Sequence, residues 1–236
     1  MKIGYLTGLL ALLCGILTAC DNDDDFYYPS VQLDFLTATA GVDGALQFVL
    51  TDDGSVLPVW EDRSNTRLEV GKKVRIVSNY EICTNAVGEL GVRLYAVMNA
   101  IAPLPKPEAE FEGGIKHESA SVTSLWMGYD YLNILLSVRQ SGKHVLQFIE
   151  KEVKGPDAEG VEEVSIMLYH AVQSDVQDYA KRAYVSVPLQ QYVTEKVKKV
   201  KVLFSLYSDA ISDEPYAKPD SEKGDVRTYV IEYIPR

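Results

Sequence analysis

The stretch Lys73-Val74-Arg75-Ile76-Val77-Ser78-Asn79-Tyr80 decides how this chain must fold. Val74, Ile76, Ser78 and Tyr80 alternate with Lys73, Arg75, Val77 and Asn79. Successive side chains on a strand point to opposite faces, so a period of two marks an extended segment with one face toward a core. The same period recurs on both sides. Val31, Leu33 and Phe35 point one way, and Gln32 and Asp34 the other. Leu46, Phe48 and Leu50 follow the turn-rich Gly41-Val42-Asp43-Gly44, and Val56 to Trp60 follows Asp52-Asp53-Gly54-Ser55. Leu90, Val92, Leu94, Ala96 and Met98 alternate again. Five short strands between Ser30 and Asn99, each bounded by turn residues, predict a small closed barrel, because closure removes the unpaired edges a small sheet exposes.

The texture changes at Pro103-Leu104-Pro105-Lys106-Pro107-Glu108. Three prolines at alternate positions favour extended polyproline II and are expected to block sheet pairing, which makes this a domain boundary. Strands resume at Ser121–Met127, Tyr131–Arg139, Lys143–Glu150, Glu162–His170, Arg182–Pro188, Lys198–Tyr207 and Val226–Ile234. Seven short strands predict an antiparallel β-sandwich. Gln140-Ser141-Gly142 reads as a tight hairpin, Gly155-Pro156 and Asp213–Asp225 as loops, and helical turns are expected near Leu189–Thr194 and Asp175–Lys181. The chain is therefore all-β, with a barrel domain over 30–102, a proline-rich linker over 103–115 and a β-sandwich over 116–236.

Residues 1–29 belong to neither domain. Lys2 precedes an apolar run from Ile3 to Leu17, then Leu17-Thr18-Ala19-Cys20. A basic start, an apolar core and small residues before a break are the parts of a secretory signal, and the run is short for a membrane span of about 20 residues. Cys20 directly after Leu-Thr-Ala resembles the bacterial lipobox. That implies a signal peptide over 1–19, cleavage before Cys20 and lipid on Cys20. Asp21-Asn22-Asp23-Asp24-Asp25 has nothing to bury, so residues 20–29 read as a solvated acidic tether. The block also resembles the export signals that follow the lipidated Cys in surface lipoproteins of Bacteroidota. Its alternative role is a plain spacer on the periplasmic side of the outer membrane.

The net charge of −11 opposes nucleic-acid binding, which needs a basic footprint, and loss of Lys2 with the signal makes the balance more negative. Once Cys14 leaves and Cys20 carries lipid, Cys83 remains alone and no disulfide within the mature chain is possible. No P-loop, dinucleotide fingerprint or nucleophile elbow occurs, and nothing singles out two carboxylates for glycoside hydrolysis. No catalytic residue, cofactor site or metal site is expected. His117, His144 and His170 stand outside helical or turn reach of one another, and His144 and His170 are expected to finish sheet edges or hydrogen-bond locally. Asp52-Asp53-Gly54 lacks the later ligands of a calcium loop and reads as a hairpin turn. Lys196-Val197-Lys198-Lys199-Val200-Lys201 reads as a strand with a solvated face or edge, the alternative being a polyanion patch. Trp60 and Trp126 are expected in the cores, the alternative being a stacking platform for a sugar or protein.

Several segments together resemble the NigD-like lipoproteins of Bacteroidota: the lipobox, Thr51-Asp52-Asp53-Gly54 after Phe48-Val49-Leu50, Gly71-Lys72-Lys73-Val74-Arg75-Ile76, Tyr131-Leu132-Asn133-Ile134, Lys143-His144, Leu168-Tyr169-His170 and Val185-Ser186-Val187-Pro188-Leu189. The resemblance spans nearly the whole mature chain. It implies an N-terminal OB-type barrel, a C-terminal β-sandwich and an association with bacteriocin immunity, and it assigns no functional residue except Cys20. The expected role is a cell-envelope lipoprotein that binds a protein, with a glycan-binding accessory lipoprotein as the alternative. The expected partners are the membrane, reached through the lipid on Cys20, and a protein or glycan ligand.

Overall fold

The computed structural model describes residues 29–139, 142–173, 180–208 and 225–236. The chain divides into two units, Met1–Ser30 and Val31–Arg236. The signal, Cys20 and the acidic block lie outside the described residues, as do the expected helical turn before Lys181 and most of the 213–225 loop. No helix among the described residues is long and apolar enough to cross a membrane.

The second unit begins with a closed barrel of β1 (Gln32–Ala40), β2 (Leu46–Leu50), β3 (Val56–Asp62), β4 (Lys73–Thr84) and β5 (Leu90–Asn99). Its order is β1-β2-β3-β5-β4, with β4 returning to pair with β1, and β3 and β5 run parallel. This is the arrangement of an OB barrel. Leu36, Ala38, Val49, Ile76, Tyr80, Val92 and Leu94 fill it. On β1 the residues of opposite parity, Phe35 and Thr37, are buried as well, because a second apolar surface covers that side of the barrel. Val31 and Leu33, earlier on the same face, are exposed.

That second surface is the sandwich. One sheet has the order β11-β8-β7, from β7 (Ser121–Met127), β8 (Tyr131–Val138) and β11 (Lys181–Pro188). The other runs β13-β12-β10-β9-β6, from β6 (Lys106–Pro107), β9 (His144–Lys154), β10 (Val161–Val172), β12 (Lys199–Ser208) and β13 (Asp225–Tyr233). Leu132, Ile134, Leu136 and Val138 of one sheet face Leu146, Phe148, Val164, Ile166, Val202 and Phe204 of the other across one core. A one-turn 3-10 helix, Gln190–Tyr192, occupies the expected turn after β11.

Three expectations are corrected. The sandwich is mixed rather than wholly antiparallel, since β10 and β12 run parallel. β8 and β9 do not form a hairpin. They belong to opposite sheets, with the apolar faces of both strands turned toward each other across the core. The prolines do not prevent pairing: Lys106 and Pro107 run parallel to Ile149 and Glu150 at the sheet edge, where a missing N–H costs least. Just before them, Ile101 donates to the Tyr184 carbonyl at 3.0 Å and accepts from the Ser186 N–H at 2.9 Å. The proline segment is thus stitched to both sheets.

Candidate functional site

Arg75 projects from β4 on the outside of the barrel, where β8 and β11 cover it, and its side chain is only 2% exposed. A buried guanidinium is tolerable only when paired and hydrogen-bonded. Nε donates to Ser186 Oγ at 3.3 Å, Nη1 to Thr37 Oγ1 at 3.2 Å, and Nη2 to Asn133 Oδ1 at 3.0 Å and to the Asp52 carboxylate. Asn133 Nδ2 and Ser186 Oγ complete the network, donating to Asp52 Oδ2 and Asn133 Oδ1 at 2.6 Å each. The guanidinium lies 4.4 Å from the Tyr131 ring centroid. Asp52 is delivered by the β2–β3 turn, closed by Thr51 N–H to Ser55 O at 3.0 Å and by Gly54 at φ +96°. Gly128 is required beside it, because a Cβ there would lie 2.5 Å from Asp52 Oδ1 and 2.6 Å from Asn133 Nδ2. Four of the segments that carry the NigD-like resemblance meet here, through Asp52, Arg75, Asn133 with Tyr131, and Ser186.

Asp52 of this lock also lines a cleft of about 350 Å³ at the mouth of the barrel. Leu36 and Leu57, both core residues, form its floor. Asp34, Tyr80 and Asp53 supply a polar wall, and Ile82, Leu90 and Trp126 form an apolar rim. The Tyr80 hydroxyl lies 3.2 Å from Gln32 Oε1 and 3.3 Å from an Asp34 oxygen. Burial, followed by the Asp34 charge, pushes the Tyr80 phenol far up, so it remains a donor. Hydrogen bonds from Thr51 and Ser55 hold the Asp53 carboxyl below the usual carboxylate range. Trp126 is 38% exposed and meets Phe35 edge-on at 5.6 Å; Trp60 is 37% exposed and lies on Gly91, where a Cβ would come within 2.5 Å of the indole. Neither indole is a core residue, contrary to expectation. An apolar floor, an indole and carboxylates, with no cation among the described lining residues, suit a ligand that pairs an apolar body with hydroxyls or a positive charge.

The other candidates resolve differently. His144 on β9 and His170 on β10 meet, with Nδ1 of His144 2.9 Å from Nε2 of His170. His170 Nδ1 is 2.9 Å from the Glu118 carbonyl oxygen, which can only accept, so the His170 proton is on Nδ1 and Nε2 accepts from His144. His117 bridges to His170 through the backbone, so the fold gathers all three histidines. Among the described residues no group of three His, Cys, Asp or Glu side chains is placed to hold a metal ion. Burial is the main cause that lowers the His170 pKa, with His144 adding to it. A histidine with its folded pKa below its unfolded value leaves stability level above the unfolded pKa of about 6.5 and erodes it below, because the unfolded chain then binds more protons. The melting temperature should fall as pH drops from about 6.5 to 5, and His170→Gln should flatten that slope. An equal slope in the variant would assign the loss to other groups.

Lys199 and Lys201 of the basic run lie on an interior strand, not an edge, and pair across it with Glu232 at 3.0 Å and Glu163 at 2.8 Å. Hydrogen bonds from Lys154 and Lys201 pull the Glu163 carboxyl down to about 2. Val197 and Val200 of the same run are in the core, so two of its four lysines are already neutralised by a sheet that needed them there. Cys83 is half-buried beside the Gly91 carbonyl.

A profile of the NigD-like C-terminal beta sandwich domain matches residues 102–214. A NigD-like immunity protein from Bacteroides caccae ATCC 43185 has a crystal structure that superposes with a TM-score of 0.70 at 31% identity, covering 89% of this chain and all of that one. The chain belongs to the NigD-like family. A candidate toxin-related protein from Parabacteroides distasonis ATCC 8503 shares the NigD-like fold at TM-score 0.62 and 19% identity, over 87% of this chain and 94% of that one. A candidate lipoprotein from Bacteroides fragilis NCTC 9343 shares it at TM-score 0.59 and 11% identity, over 87% and 99%. No functionally curated protein matches the sequence. The residues that build the NigD-like lock and cleft were only partly visible in the chain. Asn133 inside Leu132–Leu136 and Arg75 inside Val74–Val77 are polar residues within apolar runs, which was the available signal. Asp34, Tyr80 and Gly128 gave none.

Proposed function

We propose that this NigD-like protein is a lipid-anchored binding protein of the cell envelope that confers immunity by holding a protein ligand at the barrel mouth. The observation that carries the reading is the mouth itself: a cleft with a core-like floor, a half-exposed Trp126 and the Asp34 carboxylate, in a family with a member described as an immunity protein. Mouths of barrels are preferred ligand sites, and aromatic anchors in such clefts carry most of the binding energy. The lipobox at Cys20 supports anchoring, and the acidic block after it supports exposure on the outer face of the outer membrane. The net charge of −11 argues against nucleic acid.

Deletion of the gene should sensitise the strain to at least one bacteriocin of related strains, and wild-type protein should restore resistance. Trp126→Ala, expressed at wild-type level, should restore it poorly, since an aromatic hot spot contributes about 2 kcal/mol or more, roughly thirtyfold in affinity. Unchanged sensitivity of the deletion strain to every bacteriocin tried would remove the immunity reading. A glycan ligand is the second reading, favoured by the same exposed indole beside carboxylates. A glycan array probed with wild type and Trp126→Ala separates the two, and an array without a Trp126-dependent signal excludes the glycan.

A further inference from the structure

A second cavity, of about 380 Å³, opens where the inner face of the sandwich ends. Val138 and Leu146, both buried, form its floor, and Met98 at the end of β5 adds an apolar wall. Lys143, Lys181 and Arg182 stand around it beside His144, and no carboxylate is among its described lining residues. The chain carries 34 acids against 23 lysines and arginines, so a described lining whose charged residues are all cations runs against the overall balance. It is also the reverse of the barrel mouth, which has Asp34, Asp52 and Asp53 and no cation among its described lining residues.

The three cations differ from others on the sandwich. Lys154, Lys199 and Lys201 are each bound to a glutamate on a neighbouring strand. Lys181 donates instead to a neutral acceptor, the Gly142 carbonyl, at 3.2 Å. Among the described residues, Lys143, Lys181 and Arg182 form no ion pair. The pairing register places Lys181 opposite Val138 and Arg182 opposite Ser137, so both stand at the end of β11 where the core stops. Like charges gathered at one concavity repel, and an anion that enters relieves the repulsion while making charge-assisted hydrogen bonds. The buried floor then rewards an apolar group attached to that anion.

We propose that this cavity binds a small amphipathic anion, a carboxylate or phosphate headgroup on one short apolar chain. Lys143, Lys181 and Arg182 hold the headgroup, and Val138, Leu146 and Met98 cover the chain. The volume suits a single small ligand. This site is separate from the barrel mouth and does not depend on the immunity reading.

Titration calorimetry of the purified protein with octyl phosphate, below its micelle concentration, tests the proposal against inorganic phosphate and octyl glucoside. Octyl phosphate should bind, and each of the other two should bind at least about tenfold more weakly, since one lacks the chain and the other the charge. Lys181→Gln with Arg182→Gln should weaken octyl phosphate about tenfold or more, and Met98→Glu, at an exposed position, should weaken it by adding a like charge. Circular dichroism and an unchanged melting temperature verify that these surface variants fold. No binding of octyl phosphate to the wild type, equal binding of octyl glucoside, or full affinity in the double variant would overturn the assignment.

Discussion

Asp52→Ala should destabilise the folded chain by about 3 kcal/mol, an unusually large effect for a residue in a surface turn. The turn is not where its energy lies. Removing Asp52 leaves the Arg75 guanidinium, 2% exposed, without the carboxylate that neutralises it. Breaking one half of a buried ion pair costs about 3–5 kcal/mol, and Asp52, itself 23% exposed, places this pair at the low end. Asn133, Ser186 and Thr37 still accept from Arg75, which limits the loss further. Urea unfolding followed by tryptophan fluorescence measures it. Because the network ties the barrel to the sandwich, the variant should also separate their unfolding into two transitions. Removing both charges, with Arg75→Met and Asp52→Asn together, should cost less than the sum of the single changes. Stability of Asp52→Ala within about 0.5 kcal/mol of wild type would show that the lock does not hold the molecule together.

Cys20→Ser has the largest effect expected outside the folded domains. Each buried methylene of an attached lipid contributes about 0.8 kcal/mol, and two or more chains anchor a protein stably. No helix among the described residues could serve as a substitute anchor, and the acidic balance of the chain repels anionic headgroups. The variant should lose incorporation of labelled palmitate and leave the membrane pellet, with barrel and sandwich folded as before. Retention in the pellet, or a wild type that takes up no label, would refute the lipoprotein reading. Replacing Asp23, Asp24 and Asp25 by alanine together should leave labelling intact. Loss of accessibility to protease on whole cells would then identify the block as an export signal, and unchanged accessibility would identify it as a spacer.

The two-residue period of Leu46–Leu50, Lys73–Tyr80 and Leu90–Met98, and of the seven later runs, determined by itself that the chain is all-β and where nearly every strand lies. Period is a local property of residues adjacent in sequence, set by the pleat. Closure of the barrel was legible for a related reason, since five short strands leave edges that must be removed. Partnership was not legible. Gln140-Ser141-Gly142 looked like a hairpin, yet β8 and β9 face each other across the core, because alternation tells which face is buried and not which strand lies alongside. Parallel pairing of β10 with β12 was hidden likewise, as the residues that meet are distant in sequence. The lock was beyond reach for the same reason. Thr37, Asp52, Arg75, Asn133 and Ser186 come from five separate segments. Only the packing of barrel on sandwich brings them within hydrogen-bond distance, and that packing also buries Phe35 on the outside of the barrel, while Val31 and Leu33 of the same face stay exposed, and places Trp126, an expected core residue, on the rim of a cleft.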